Sequence, residues 1–464
     1  MLNDLKELVA IESVLGTPAQ NAPFGAGPRA ALDWFLARAA SYGLKTGELD
    51  GYCGWAEYGE GEKLIGLLGH LDVVPADAAD WSHPPYRAII EDGRIYGRGV
   101  ADDKGPAVAC LHALKRLKEQ NVRLGVRVRV IVGCNEENGS ACMKYYRAHG
   151  ELPTVNLVPD ADFPIINSEK TIYQTRLILP AGAYLAENVQ SVHAGLRPNV
   201  VPAYAELRVK PGSALERTLQ SKGGNAELFR TGAAAAAIVS GGHDFGDYGI
   251  SHDGKTFILS AKGVAGHAME PEKGDNAIAK LFAVLAAWTD DETVQNIAEY
   301  LLSPLAPEKL GIYCEDKQSG YLTLNVGTID YDGGELALSL DMRCPVCCRT
   351  DALESKITGR MGGRMQDTRI SPYLYIDEAS PLVQTLLGVY TAVTGNPGYT
   401  VQTGGGTYAR ELPNSIAFGA TFPDTETNIH NADESFPVEH LYKLEEIYFN
   451  AVKALADKLI KGEL

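Results

Sequence analysis

The chain of 464 residues is too long for one ordinary core, so two domains are expected. Apolar residues make up 45% and charged residues 22%, a globular balance that excludes a disordered or fibrous chain. Net charge is 42 − 59 = −17, which argues against nucleic acid and anionic membrane as partners and serves solubility.

In chain order, residues 1–14 come first. Leu2, Leu5, Leu8 and Val9 recur at helical spacing with Asp4, Lys6 and Glu7 between them. This predicts an amphipathic helix rather than a secretory leader. No apolar run approaches the ~18 residues of a membrane span. Eight cysteines in a chain of this size are too sparse for a disulfide framework. The cytoplasm is the expected compartment.

Strand-like apolar runs follow at 63–68, 126–132 and 155–158. They end at His70, at Glu136 and Glu137, and at Asp160 respectively. Between the first two, Pro106 sits in the first turn of a predicted helix with Val108, Cys110, Leu111, Leu114 and Leu117 on one face. Apolar strands joined through helices predict an α/β fold: a mixed, largely parallel sheet with helices on both faces. Such sheets place their sites just past the strand ends.

From residue 168 to 373 the pattern changes. Alternating strands at 207–210, 256–260, 321–326 and 336–341 are interrupted by helical stretches at 276–289 and 292–301. This predicts an inserted α+β domain able to act as a lid. A helix at 382–393 precedes His430. If His430 completes a site begun at His70, residues 1–167 and 374–464 form one discontinuous catalytic domain around the insertion at 168–373. Ala233–Ala237 is the single low-complexity stretch, and no repeat of 20–50 residues is visible.

Five short segments carry the chemistry: G-H-L-D at 69–72, G-R-G-V-A-D-D-K-G-P at 97–106, N-E-E-N-G-S at 135–140, V-P-D-A-D at 158–162 and N-I-H-N-A-D-E at 428–434. They offer two imidazoles and several carboxylates, a ligand set for two divalent cations sharing a bridging carboxylate. With Asp102 as bridge, Glu137 and Asp160 as further carboxylates and His70 and His430 as neutral donors, the ligands carry −3 against +4. A bridging hydroxide neutralises the site, and metal-bound water can have its pKa lowered to roughly 7. Glu136 is then the proton-transferring base beside Glu137, provided that the chain turns at Asn135, Asn138 and Gly139. Asp72, two residues after His70 on an extended chain, is placed to accept the spare imidazole N–H.

Other motifs point elsewhere and fall short. Gly97-Arg98-Gly99 lacks the third glycine of a dinucleotide loop, because position 102 is Asp102. Cys344-Pro345-Val346-Cys347 has no second pair at zinc-finger spacing and is read as ordinary thiols. Asn138-Gly139-Ser140 forms a glycosylation sequon that fits no secreted context.

The ordered set H-L-D-V-V-P, G-R-G-V-A-D-D-K-G-P, N-E-E-N-G-S and P-D-A-D-F-P resembles the co-catalytic di-metal peptidase family of aminoacylases, carnosinases and desuccinylases. It is most similar to the bacterial broad-specificity dipeptidases of the Xaa-His type. The resemblance implies that His70, Asp102 and Asp160 hold one metal and Asp102, Glu137 and His430 the other. It implies Glu136 as base, Asp72 as the carboxylate behind His70, and a cis peptide after Asp102. In A-G-H-A, His267 would stabilise the oxyanion. In D-M-R-C-P, Arg343 would grip the substrate carboxylate through its bidentate fork. Asn199, and Gly405 and Thr407 of the glycine-rich 403–410 segment, would face the substrate. The metals implied are two divalent ions, Zn2+ first, with Mn2+ or Co2+ compatible with the same donors.

The function expected is therefore a metal-dependent dipeptidase acting on small peptides with both termini free. The alternative is an N-acyl amino acid deacylase using the same site. An insertion of about 200 residues, large beside a small dimerising domain, favours the dipeptidase and a monomer. A third possibility, a metal-binding module without catalysis, is disfavoured because binding alone needs no Glu136.

Overall fold

A computed structural model describes residues 1–221 and 247–464; the alanine run 233–237 lies outside them. The chain forms two compact units. The first comprises Met1–Ser168, Leu374–Gln402 and Gly406–Leu464, and the second Glu169–Tyr373 with Thr403–Gly405.

The first unit is built on a mixed sheet of β1 (Lys45–Leu49), β2 (Cys53–Gly59), β3 (Leu64–His70), β4 (Arg127–Gly133), β5 (Val155–Val158), the strand Ser415–Ala417 and β6 (Ile165–Glu169). Its order is β1-β2-β4-β3-β5, then Ser415–Ala417, then β6, on which the short strands Leu374–Tyr375 and Thr400–Thr403 also pair. The pairings β4·β3, β3·β5 and β5 with Ser415–Ala417 are parallel, and the flanking pairs are antiparallel. Every residue of β3 and β5 is buried, as is required of strands covered on both faces. Helices Ala26–Ser41, Lys104–Glu119 and Val438–Lys461 supply the cover. Helix Lys104–Glu119 buries the predicted face of Val108, Cys110, Leu111, Leu114 and Leu117.

The first helix runs only Leu2–Val9, shorter than the pattern over 1–14 predicts. A buried lysine ends it: Lys104 Nζ donates to the carbonyls of Leu8 (3.2 Å) and Ile11 (2.7 Å), and Ser13 Oγ donates to Leu71 O. These bonds take the place of further helical turns.

The second unit is an antiparallel sheet of β7 (Thr171–Pro180), β8 (Val189–Ala194), β9 (Tyr204–Val209), β10 (Tyr248–His252), β11 (Phe257–Lys262), β12 (Thr323–Tyr331), β13 (Glu335–Cys344) and β14 (Arg364–Ser371). The order is β10-β11-β9-β8-β12-β13-β7-β14. Helix Ala277–Trp288 packs on β9 and β11, and Asn276 Oδ1 caps it by accepting the Ile278 N–H at 2.9 Å and the Ala279 N–H at 3.3 Å. The expected helix over 292–301 is α-helical only through Asn296 and widens to a π-turn over Ile297–Leu301.

Candidate metal and active site

The first unit gathers its acidic motifs at the carboxyl ends of β3, β4 and β5. His70 closes β3 and is fully buried. Its backbone N–H donates to Asp103 Oδ2 at 3.0 Å. A Cβ at Gly69 would lie 2.5 Å from that oxygen, so the glycine leaves room for the contact. His70 Nδ1 lies 2.9 Å from the backbone carbonyl of Asp72, and 3.6 Å from its carboxylate. The carbonyl, not the carboxylate expected from the sequence, is thus the nearer acceptor of the spare imidazole proton. That acceptor fixes a proton on Nδ1 and leaves Nε2 facing the site.

The Asp72 carboxylate has another partner set. Its Oδ1 accepts the Glu136 N–H at 3.0 Å and its Oδ2 the Glu137 N–H at 3.2 Å. The chain does turn here: Ser140 N–H donates to Asn135 O, and Asn135 Oδ1 accepts the Ala141 N–H. The turn lets two adjacent glutamates serve one site, which a straight strand forbids.

Asp102 stands between the two histidines. His70 Nε2 is 2.8 Å from its Oδ1, and His430 Nε2 is 2.9 Å from its Oδ2. His430 Nε2 is also 3.1 Å from Glu137 Oε1, and His70 Nε2 is 3.7 Å from Asp160 Oδ2. The Asp102–Asp103 peptide is cis. His70, Asp102 and Glu137 offer donor atoms all within 4.8 Å of one another, as do His70, Glu136 and Asp160. Glu136 therefore lies within donor range as well as beside the site.

The electrostatics mark the cluster as short of positive charge. Burial, with nearby carboxylates adding to it, pushes Glu136 well above the usual carboxylate range. The same causes, led by burial and Asp102, raise Asp160 to about 7. Burial opposes ionisation of Asp102, but hydrogen bonds from His430 and His70 hold its carboxyl well below the usual range. Hydrogen bonds to Asp102 and Glu137 lift His430 to about 10. Two imidazole nitrogens converging with several buried carboxylates is a donor set that fits divalent cations.

Glu434 is the residue that sequence reasoning passed over, although it stands in the His430 motif. It is fully buried. Its Oε1 accepts the N–H groups of Ala101 (2.9 Å) and Asp102 (3.2 Å), and its Oε2 that of Gly99 (3.0 Å) and Arg98 Nη1 (2.8 Å). Arg98 Nη2 donates in turn to Asn431 O at 3.2 Å. Asp433 Oδ1 accepts the N–H groups of Ser82 and His83. These ties hold His430, at a left-handed φ of +64°, in its place.

The second unit carries His267, Asn199, Arg343 and Gly405. His267 pairs with Val200 in a two-residue ladder, and Ala268 N–H donates to Asn199 O at 3.0 Å, so Asn199 and His267 are neighbours. His267 Nδ1 accepts the Met269 N–H at 3.1 Å, which leaves the ring proton on Nε2. Burial and the Arg343 charge keep its pKa below the ordinary histidine value. Arg343 is buried on β13, and its fork is engaged: Nε and Nη2 donate to the two oxygens of Asp341 at 2.6 and 3.1 Å, and Nη1 to Gly404 O at 2.8 Å. Gly405 N–H donates to Thr403 Oγ1 at 3.0 Å. Thr407 belongs to the first unit, where its Oγ1 caps the turn Tyr408–Arg410 through the Ala409 N–H at 3.1 Å.

A model of peptidase family M20/M25/M40 matches residues 66–454. Over 470 residues, covering 98% of this chain and 97% of the relative, the chain is 36% identical to YtjP of Bacillus subtilis strain 168, which is named provisionally as a dipeptidase. In fold it resembles the M20 family metallo-carboxypeptidase Sso-CP2 of Sulfolobus solfataricus, with TM-score 0.59 at 17% identity, covering 98% of this chain and 99% of that one. It also resembles the aminoacylhistidine dipeptidase of Vibrio alginolyticus, with TM-score 0.56 at 13% identity, covering 98% and 96%. The family match, and the relative matched from end to end, make this chain a member of peptidase family M20/M25/M40, hydrolases of peptide bonds.

Proposed function

We propose that the protein is a metal-dependent dipeptidase acting on dipeptides whose amino and carboxyl termini are both free. The observation that carries this reading is Asp102, with one oxygen 2.8 Å from His70 and the other 2.9 Å from His430. A carboxylate presented this way could be shared by two cations. The family is metal-dependent, and its B. subtilis relative carries a dipeptidase name. We assign His70, Asp102 and Asp160 to one cation and Asp102, Glu137 and His430 to the other. Zn2+ suits these donors best, and Mn2+ or Co2+ also fit.

Two such cations would supply Lewis acidity and would make water at the site more acidic. Glu136 takes the proton of the attacking water and delivers it to the leaving amine. Asp72 orients Glu136 and Glu137 through their backbone amides. From the second unit, the Nε2–H of His267 donates to the developing oxyanion, and Arg343 meets the substrate carboxylate. Asn199, Gly405 and Thr407 contact the peptide. The reading includes a monomer in the cytoplasm, and light scattering of the purified protein checks the first of these.

The deciding experiment is a hydrolysis screen of free dipeptides against N-acetyl and N-succinyl amino acids, after metal stripping and separate add-back of Zn2+, Mn2+ and Co2+. Turnover of dipeptides is the expected result. Turnover confined to the N-acyl substrates would establish the deacylase instead, and no dipeptide turnover with any metal overturns the proposal.

A further inference from the structure

On β12 two polar side chains point inward. Thr323 and Asn325, two apart and so on one face of the strand, are 3% and 2% exposed, while Leu324 between them is only partly buried. Burying an amide is unfavourable unless its donors and acceptor are met. Asn325 meets its donors far back in the chain: its Nδ2 donates to Pro198 O at 2.9 Å and to Val200 O at 3.1 Å. Those carbonyls belong to the residues on either side of Asn199. The carbonyl of Asn199 itself accepts the Ala268 N–H at 3.0 Å, and Thr323 Oγ1 donates to Ala268 O at 3.1 Å. The segments that carry Asn199 and His267 are therefore bonded to each other and to the same face of β12.

Two further features serve this contact. The register of β12 with β13 shifts between Val326 and Thr328, and a Cβ on the intervening Gly327 would lie 2.2 Å from Pro198 O. The glycine lets the 197–200 segment come within reach of Asn325. Asn276 acts from the other side. Its Oδ1 caps helix Ala277–Trp288, so its Nδ2 is turned to β12, where it donates to Val326 O at 3.0 Å and lies 3.5 Å from Asn325 Oδ1. A donor there favours the Asn325 amide with Oδ1 toward Asn276 and Nδ2 toward the two carbonyls.

We infer that Asn325 is the positioning residue that holds Asn199 and His267 in fixed relation to each other. The ladder of Val200–Val201 with Gly266–His267 is two residues long, too short to be stable by itself, and the Asn325 amide supplies the anchor it lacks. The consequence for catalysis rests on the proposed function, in which Asn199 contacts the peptide and the Nε2–H of His267 meets the oxyanion. Misplacing such a donor by about 1 Å can cost about 10²-fold in rate. Asn325 is buried and acts through these two residues.

The test uses the full-length, metal-loaded protein and two variants, Asn325→Ala and Asn276→Asp. The second keeps an oxygen to cap the helix but removes the Nδ2 donor. Its carboxylate would face Asn325 Oδ1, which favours turning the Asn325 amide so that an oxygen meets the carbonyls of Pro198 and Val200. Thermal melting checks that each variant is folded, and Asn276→Asp carries the test if Asn325→Ala is not. Hydrogen exchange read by mass spectrometry should quicken in peptides covering 198–201 and 266–269 and stay unchanged in β7 and β13. With a free dipeptide, kcat/KM should fall about 10²-fold in Asn325→Ala, and much less when His267 is already alanine, because the two act on one step. Unchanged exchange in those two segments of the folded variants, faster exchange throughout the second unit, or equal falls in kcat/KM with and without His267 would each overturn the inference. The expected exchange pattern in a protein that turns over no dipeptide would overturn the proposed function and leave the positioning of Asn199 and His267 upheld.

Discussion

Glu434 accepts the backbone N–H of Asp102 at 3.2 Å, and so ties the segment that carries His430 to the residue standing between the two histidines. Three further donors converge on the same carboxylate, among them the buried guanidinium of Arg98. Removing one member of a buried ion pair leaves the other uncompensated, at a cost of about 3–5 kcal/mol. Glu434→Ala should therefore lose stability in that range by denaturant unfolding and also bind divalent metal more weakly. Glu434→Gln keeps one carbonyl acceptor and should recover most of the metal affinity. Unchanged metal affinity in a folded Glu434→Ala protein would remove Glu434 from the support of the site.

Glu136 is placed by two Asp72 contacts to its turn, and the proposed role asks its carboxylate only for proton transfer. Glu136→Gln should lower kcat about 10²–10⁴-fold, the range of positioned acid–base catalysis, while metal content stays at the unmutated level. Single-turnover rates with parallel elemental analysis measure both. Loss of metal together with activity would mean that Glu136 is a ligand, as its closeness to His70 and Asp160 allows.

The candidate site was legible because several of its residues close or follow mostly apolar strands, and such strands announce where they end. His70 closes one, and Glu136, Glu137 and Asp160 stand past the ends of the others. Glu434 was not legible as a support, because its main partners are backbone amides more than 330 residues away and no side-chain pattern marks an amide. The Asp72 carbonyl contact to His70 escaped because it too is made by the backbone, although only two residues away. The early end of the first helix depends on Lys104, whose ammonium reaches back to the carbonyls of Leu8 and Ile11. The register of β13 with β7 was hidden too, since strand pairing across a sheet is set by long-range contacts.

Metal removal has a direct structural consequence. Asp102, Glu136, Glu137 and Asp160 stand close together, and burial raises the cost of charge on the last three. A cation that binds only the folded state at 100 times its Kd adds about 2.7 kcal/mol. Chelation should lower the melting temperature, and re-addition of Zn2+ should restore it. A melting temperature indifferent to chelator, in protein shown to be metal-free, would count against a bound cation at this cluster.

Arg343 poses the sharpest separation of structure from function. Asp341 occupies its fork at 2.6 and 3.1 Å, and both side chains are buried. Arg343→Ala would leave Asp341 as an unpaired buried charge and lose stability by about 3–5 kcal/mol, so lost activity in that variant alone says nothing about substrate. Arg343→Lys keeps a cation beside Asp341 but loses the planar fork. If the guanidinium also meets the substrate carboxylate, this variant should raise KM for a free dipeptide and leave kcat nearly unchanged. The matching dipeptide amide, which lacks the carboxylate, should be a poor substrate for the unmutated protein and no worse for Arg343→Lys. Equal losses on acid and amide would make Arg343 a structural partner of Asp341 and assign the carboxylate grip to another residue.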